Sequence, residues 1–502
     1  MATPQNIALM NKDYSNKLFN TKVSYNKSKC FIEMPGYLED ALYRNLFSKA
    51  IQHPNGQTPD VQTYQKLIQA IKNKDVNLLY SIVNQNTKLV DPYCILDSEL
   101  LGMYRSSVVV SDTPAPTSEQ AGAELLEVYA MALLRDIPFS EWTGDPLVAE
   151  IISDLNLVKT ALGAPLENGN ITVSTLFRGP AVSGNLIGPY VSQFLYHDFI
   201  LGSLVLKQKH SIAPTTEDFL TNITTFVNNW NSPIDPVNLI GPNERYMIDI
   251  RDCANSHHLD QLWQVFFIAA TILLNRNVPF SVTSARQAKT FIHLGPVDLF
   301  DLMMTAAKLS MNATWMIKWS QLRYRPEEMA YQVHLKKSSG NGLNFPSSLL
   351  TNPILDKINE KYGNYLMPVA FPEGSPSHPS YPSGHATVAG AMATVVKAFF
   401  DCNQTIPGKI PNADGSELID LTSNGEIVQL NIGNELNKLA YNCGIFRNFG
   451  GIHYRADYNG VLVGEQVAID VLTEFVTRYE KNVTFTLKKM DGATILISNQ
   501  KS

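Results

Sequence analysis

The stretch EGSPSHPSYPSGHATVAGAMATVVKAFF, residues 373–400, constrains this chain more than any other. Its second half is small and apolar over a helical length, the pattern of a helix buried on all sides. Its first half is a proline- and serine-rich loop that places His378 and His385 at the mouth of that helix. Such a helix needs others to cover it. Helical periodicity marks 122–136, 189–206, 259–276, 296–323, 385–401, 434–448 and 460–482. Loops rich in Pro, Gly, Ser and Asn separate them, among them SDTPAPTSEQ, KKSSGNGLNF and DCNQTIPGKIPNADGS. Near the C-terminus VTFTLKKMDGATILIS alternates around a Lys-Met-Asp-Gly turn and reads as one β-hairpin. The expectation is an all-α, helical-bundle protein with a small C-terminal β-hairpin. Its expected parts are a mainly helical region over 1–184, a bundle over 185–482, and the hairpin and tail over 483–502.

Composition narrows the function classes. With 502 residues, 44% hydrophobic and 17% charged, the chain has the balance of a soluble globular protein. A net charge of −6 without a dense basic stripe argues against nucleic acid as a partner. The longest apolar run, LWQVFFIAATILL (262–274), is too short to span a bilayer, so no membrane partner is expected. Cys30, Cys94, Cys253, Cys402 and Cys443 are odd in number, widely separated and never form a CxxC. That argues against a disulfide framework and a zinc site, and suits a reducing compartment. The N-terminal MATPQNIALMNKDYSNKLFN lacks a basic segment followed by an apolar one, so a cytoplasmic location is expected.

Three separated clusters carry the chemistry. In KWSQLRYRP, Lys318 and Arg325 are seven residues apart, two turns of one helix face, with Pro326 expected to end the helix. The apolar residues before them bury this helix, and two buried cations need an anionic partner. In PSGHATVAGA, Ser383 or Gly384 stands at the N-cap and the helix begins near His385, which aims first-turn N–H groups at a common point. In FRNFGGIHYRADYNG, His453 follows Arg447 by six residues across a Gly-Gly pair, and Asp457 comes four later, placed to hold a ring nitrogen of His453. Taken singly, these are an exposed helix end, an ordinary cap and a salt-bridged loop. Taken together they suit a tetrahedral oxyanion held by three cations, with His453 bonding its central atom and His385 handling protons opposite. Two chemistries remain open: phosphoryl transfer through a phosphohistidine, and a permanently bound vanadate that activates peroxide. SHHLD (256–260) also offers His257, His258 and Asp260, but adjacent histidines on a helix point apart, so a structural or interface role is expected. His53, His197, His210, His293 and His334 lack local partners and are assigned nothing.

The patterns K-x6-R-P, P-S-G-H and R-x5-H-x3-D resemble the signature shared by vanadium-dependent haloperoxidases and the type 2 phosphatidic-acid phosphatase superfamily. The surrounding LMPVAFPEGSPSHPSYPSGHATVAGAMATVVKAFFD, GPYVSQFLY and RNFGGIHYRADYNGVLVGEQVAI look like the bromoperoxidases of red algae and cyanobacteria. The resemblance implies the haloperoxidase helical bundle and one vanadate per subunit. His453 would ligate the metal, with its oxygens held by Lys318, Arg325, Ser383, Gly384 and Arg447. It further implies His385 as the acid–base histidine and Asp457 in support. Hydrogen peroxide, a halide and a small organic substrate would be the partners, together with further copies of the chain in a homo-oligomer. His378 matches a second active-site histidine of bromoperoxidases, where fungal chloroperoxidases have Phe. Trp315 departs from the red-algal pattern, which has Arg there, and matches the chloroperoxidase pattern. Bromide and iodide are therefore expected as substrates, with some chloride oxidation. A soluble acid phosphatase using the same oxyanion site is the alternative.

Overall fold

The helix Gly384–Phe399 is the axis on which the rest is arranged. The computed structural model describes residues 47–51, 61–73, 75–82, 89–90, 110–179, 184–284 and 292–499. The N-terminal stretch read above for a leader, and Cys30 and Cys94, lie outside the described residues. The helices that position the site are α1 (Val61–Asn73), α2 (Glu119–Leu133), α3 (Ile250–Ser256), α4 (Gln264–Asn275), α5 (Pro296–Gln321), α6 (Pro326–Ser339), α7 (Gly384–Phe399), α8 (Ile432–Phe449) and α9 (Gly460–Val476). Every residue of α7 except His385 is buried. It is enclosed by α5, α8, α9 and the strand Val483–Lys488. Small residues on α7 and α9 let the two helices meet backbone to backbone. A Cβ on Gly464 would stand 1.9 Å from the Thr387 carbonyl oxygen, and one on Gly390 would stand 2.2 Å from that of Val461.

The C-terminal hairpin pairs Val483–Lys488 with Thr494–Ser498, Phe485 opposite Ile497. It gains a third strand from Thr283–Ser284. Val483, Phe485 and Leu487 alternate inward against α7, where Phe485 packs on Phe399 at 5.2 Å between ring centroids. A second apolar cluster joins Phe47, Ile51, Tyr64 and Leu67 of the N-terminal part, with α1, to Trp319 and Leu322 at the end of α5. From it Lys49 Nζ reaches Glu327 Oε1 (3.0 Å) and the carbonyls of Glu373 (2.9 Å) and Ser375 (2.5 Å). That clamp fixes the loop leading to α7.

Several local expectations are corrected. Residues 189–206 form no helix but a 3₁₀ turn, Gln193–Leu195, followed by a hairpin pairing Phe199–Leu201 with Leu204–Leu206. Gly202, at φ +63°, makes the turn. The apolar residues there are β-formers that fill every position, not one helical face. The segment read as a loop after residue 401 holds short strands, Thr405–Pro407 with Gln429–Asn431 and Lys409–Pro411 with Leu418–Asp420. Helix α9 stops at Val476, short of 482. Lys318 and Arg325 do not share one helix face. Helix α5 ends in Leu322, at φ +50°, and Arg325 is the N-cap of α6, with Pro326 as its first residue. Proline's fixed φ and missing N–H suit a first helical position, so Pro326 starts a helix and does not end one.

The Gly464 contact generates a test. Gly464→Ala would drive a methyl group into the Thr387 carbonyl, and the backbone there cannot rotate away. The expected destabilisation is about 1–3 kcal/mol, seen as a lower melting temperature of the variant. An unchanged melt would mean that α7 and α9 do not approach this closely.

Candidate active site

Three buried cations converge where α5, α6 and α8 end or begin. Lys318, in the last turn of α5 and 0% exposed, donates to the carbonyls of Pro379 (2.8 Å) and Ser380 (2.9 Å). Arg325, also 0% exposed, donates from Nε to the His378 carbonyl (2.9 Å) and from Nη1 to the Ile452 carbonyl (2.8 Å). The same Nη1 lies 2.9 Å from His453 Nε2, and Nη2 lies 3.1 Å from His378 Nδ1. Arg447, in the last turn of α8, donates from Nη1 to the His257 carbonyl, and its buried Nε has no hydrogen-bond partner among the described residues.

None of the three forms an ion pair among the described residues, whereas the buried arginines around them do. Arg323 bridges Glu124 (2.5 Å) and Asp457 (2.8 Å), Arg455 holds Glu127, and Arg251 holds Asp136 and Asp218. The difference appears in proton affinity. Burial, then the Arg325 charge, pushes Lys318 well below the ordinary lysine value. Burial lowers Arg325 to about 10 and lowers Arg447 as well. Carboxylates such as Asp457 and Asp260 act on these cations from a distance, but none pairs with them directly, and burial still lowers all three, the condition that favours an anionic ligand.

His453 enters the cluster through the Gly450–Gly451 turn, Gly451 standing at φ +83°. Its Nδ1 is 2.7 Å from Asp457 Oδ2. That carboxylate also accepts from the Tyr454 amide (3.1 Å) and from Arg323. A carboxylate here only accepts, so Nδ1 carries the ring proton and Nε2 is left as a lone pair facing Arg325. Burial, then Arg325, Lys318 and Arg447, holds His453 well below the usual histidine range and keeps it neutral.

The N-terminus of α7 closes another wall. Ser383 is the N-cap, its Oγ accepting from the Ala386 amide (3.4 Å), and its own amide is tied to the Asp457 carbonyl (2.9 Å). Gly384, the first helical residue, sits against Met311 and Trp315, which a Cβ there would meet at 3.3 and 3.4 Å. His385 Nε2 is 2.9 Å from Asp260 Oδ1, which leaves its Nδ1 as the acceptor. Burial lowers the His385 pKa, and Asp260 opposes that. Burial alone would raise Asp260, but His385 outweighs it and holds the carboxyl below its ordinary range. The His378 ring lies 4.9 Å from Trp315, and Lys318 Nζ stands 5.6 Å from the same indole. Burial, Lys318 and Arg325 hold His378 well below the usual histidine range.

The residues singled out from sequence thus lie in one place, and SHHLD joins them there. His258 stacks on Phe371 (3.8 Å) and binds Glu373, a structural role, but Asp260 reaches His385. No local pattern marks Asp260, which is 125 residues from its partner. No local pattern marks Arg323 and Glu124 either, although Arg323 bridges Glu124 to Asp457.

A family model, the VCPO second helical-bundle domain, matches residues 298–481. The vanadium-dependent bromoperoxidase of Corallina officinalis is 32% identical over 477 residues, covering 80% of this chain and 78% of that protein. The chain belongs to the vanadium-dependent bromoperoxidase family. The Ascophyllum nodosum member is 31% identical over 488 residues, covering 89% and 86%. The homohexameric structure of the second vanadate-dependent bromoperoxidase from Ascophyllum nodosum has the same fold, with a TM-score of 0.86 at 24% identity over 99% of this chain and 91% of that one. The donor set fits the family's oxyanion. It combines a neutral imidazole lone pair, three cations without carboxylates, and a buried guanidinium N–H left without a partner.

The pairing of His385 with Asp260 can be tested without any ligand. The carboxylate favours protonated His385, so Asp260→Asn removes that support and His385 should take up its proton at lower pH than in the wild type. Ring NMR signals of His385 followed against pH measure this. A titration that stays in place or moves upward would refute the pairing.

Proposed function

We propose that the protein is a vanadate-dependent haloperoxidase that oxidises bromide and iodide, and chloride less readily, with hydrogen peroxide. The product is hypohalous acid or an equivalent, which halogenates a small organic substrate. One observation carries the reading: Lys318, Arg325 and Arg447 are buried without carboxylates around the lone pair of His453 Nε2. In this reading those three cations, with Ser383 and Gly384 at the α7 N-terminus, hold the vanadate oxygens, and His453 ligates the metal. Bound vanadate supplies a Lewis acid that makes peroxide electrophilic toward halide. Asp457 keeps the His453 proton on Nδ1, so Nε2 stays free to ligate. Neutral His385 accepts a proton from peroxide at Nδ1, and Asp260 stabilises the charge that forms. His378 and Trp315, in ring contact, form the wall that the halide meets.

Self-association is proposed as well. On the hairpin after the 3₁₀ turn, Ile200 and Val205 are 49% and 74% exposed, and Leu201 and Leu204 are exposed beside them. A second copy covering these apolar residues is in keeping with the hexameric relative. No helix among the described residues is long and apolar enough to cross a membrane.

The decisive assay reconstitutes the purified protein with orthovanadate. Bromination of a dione dye with peroxide is measured beside p-nitrophenyl phosphate hydrolysis, with and without vanadate. Vanadate-dependent bromination is expected. Hydrolysis that vanadate only inhibits, without bromination at any pH, would replace this reading with an acid phosphatase working through a phosphohistidine. His453→Ala is expected to lose bound vanadate, measured by metal analysis after dialysis. His385→Ala should keep it and lose turnover by about 10²–10⁴-fold. Trp315→Arg is expected to change the bromide-to-chloride rate ratio, and an unchanged ratio would remove Trp315 from halide selection.

A further inference from the structure

Among the buried imidazoles that the reaction above leaves unused, His257 stands beside the pocket. It follows α3 directly, is 1% exposed, and stands edge-on to Phe446 at 5.0 Å. Its carbonyl is the acceptor for Arg447 Nη1, so it is fixed to a residue of the oxyanion pocket. Its hydrogen bonds define its tautomer. Ser256 Oγ lies 2.8 Å from the Cys253 carbonyl and 2.8 Å from His257 Nδ1. A hydroxyl has one proton and a carbonyl only accepts, so both contacts are satisfied when Ser256 donates to Cys253 and accepts from Nδ1–H. The lone pair is then on Nε2. That nitrogen is buried and has no hydrogen-bond partner among the described residues. A buried acceptor without a donor is unfavourable and is the mark of a site for a protic ligand.

The donor that suits it is specified by what lies beside it. The His257 and His385 rings are neighbours, in a tilted contact with centroids 6.2 Å apart. His385, pinned through Nε2 to Asp260, also presents its lone pair, on Nδ1. Burial pushes His257 down to about 3, so it stays an acceptor across the range in which His385 works. Two imidazole acceptors side by side suit a ligand with two O–H donors. Hydrogen peroxide has them, and a halide ion has none.

We propose that His257 is a positioning residue for hydrogen peroxide, its Nε2 accepting one O–H while His385 Nδ1 takes the other. This rests on the haloperoxidase reading and adds a substrate contact to it. The arrangement favours peroxide over halide, so its loss changes one substrate dependence and leaves the other.

The test compares His257→Phe, which keeps a ring and removes the acceptor, with His257→Gln, which restores one. For the vanadate-loaded Phe variant the KM for peroxide should rise about fivefold, the effect of one neutral hydrogen bond. The KM for bromide and the vanadate content should stay within twofold, and Gln should recover most of the loss. Equal losses in Phe and Gln, or a fall in vanadate content, would make the residue structural and overturn the proposal. So would an unchanged peroxide KM, with the haloperoxidase reading left standing. Failure of the wild type to brominate would overturn that reading and this assignment with it. Independently of activity, ring ¹⁵N spectra of the vanadate-free protein should show His257 neutral at pH 5 with its proton on Nδ1. An Nε2–H tautomer would overturn the proposal.

Discussion

Lys318, Arg325 and Arg447 are buried together, Arg325 and Arg447 lowering the proton affinity of Lys318 and Arg447 that of Arg325, and no carboxylate among the described residues forms an ion pair with any of them. Most of the surrounding architecture follows from holding such a cluster in place. Apart from the unpartnered Arg447 Nε and the Arg325 contacts with the His453 and His378 rings, its N–H groups donate to carbonyls of the loops at 378–380, 452 and 257–258, which accept hydrogen bonds without cancelling charge. Those loops therefore have to be rigid. The 373–383 loop is held by Lys49, Glu327 and the Asp457 carbonyl, and residue 452 by the glycine turn before His453. Helix α7, covered on all sides, sets its N-terminus against the cluster.

Paired and unpaired cations alternate within a few residues of sequence. Arg323 lies between Lys318 and Arg325, yet it is bridged to Glu124 and Asp457 and through Asp457 orients His453. Its neighbours point into the pocket. The break at Leu322 produces this split, because it turns the chain between α5 and α6 and sends successive basic side chains to different sides. A continuous helix through Arg325 would have placed Lys318 and Arg325 on one face and left the carbonyl cage unformed.

One device recurs among the histidines. A carboxylate or hydroxyl fixes the proton on one ring nitrogen and thereby exposes a lone pair on the other. Asp457 does this for His453, Asp260 for His385 and Ser256 for His257. In each case burial lowers the ring's pKa, which favours the neutral form and a free lone pair on that nitrogen. The three roles proposed for these similar side chains differ through what touches the far nitrogen.

The parts of this protein legible in the sequence are those governed by short-range physics. A small-residue apolar run has to be a buried helix, Ser383 before it has to be a cap, and Asp457 four residues after His453 can reach its ring. Alternation around Met490 and Asp491 marked the hairpin for the same reason. The segment 199–206 misled, because Phe199–Leu201 and Leu204–Leu206 are apolar at every position and have no period to separate helix from strand. Only tertiary structure decided which basic residues are paired, that Asp260 of SHHLD meets His385 from 125 residues away, and that the N-terminal Lys49 braces the loop before α7. Charge compensation and proton placement depend on distances across the core, and residue spacing along the chain does not encode them.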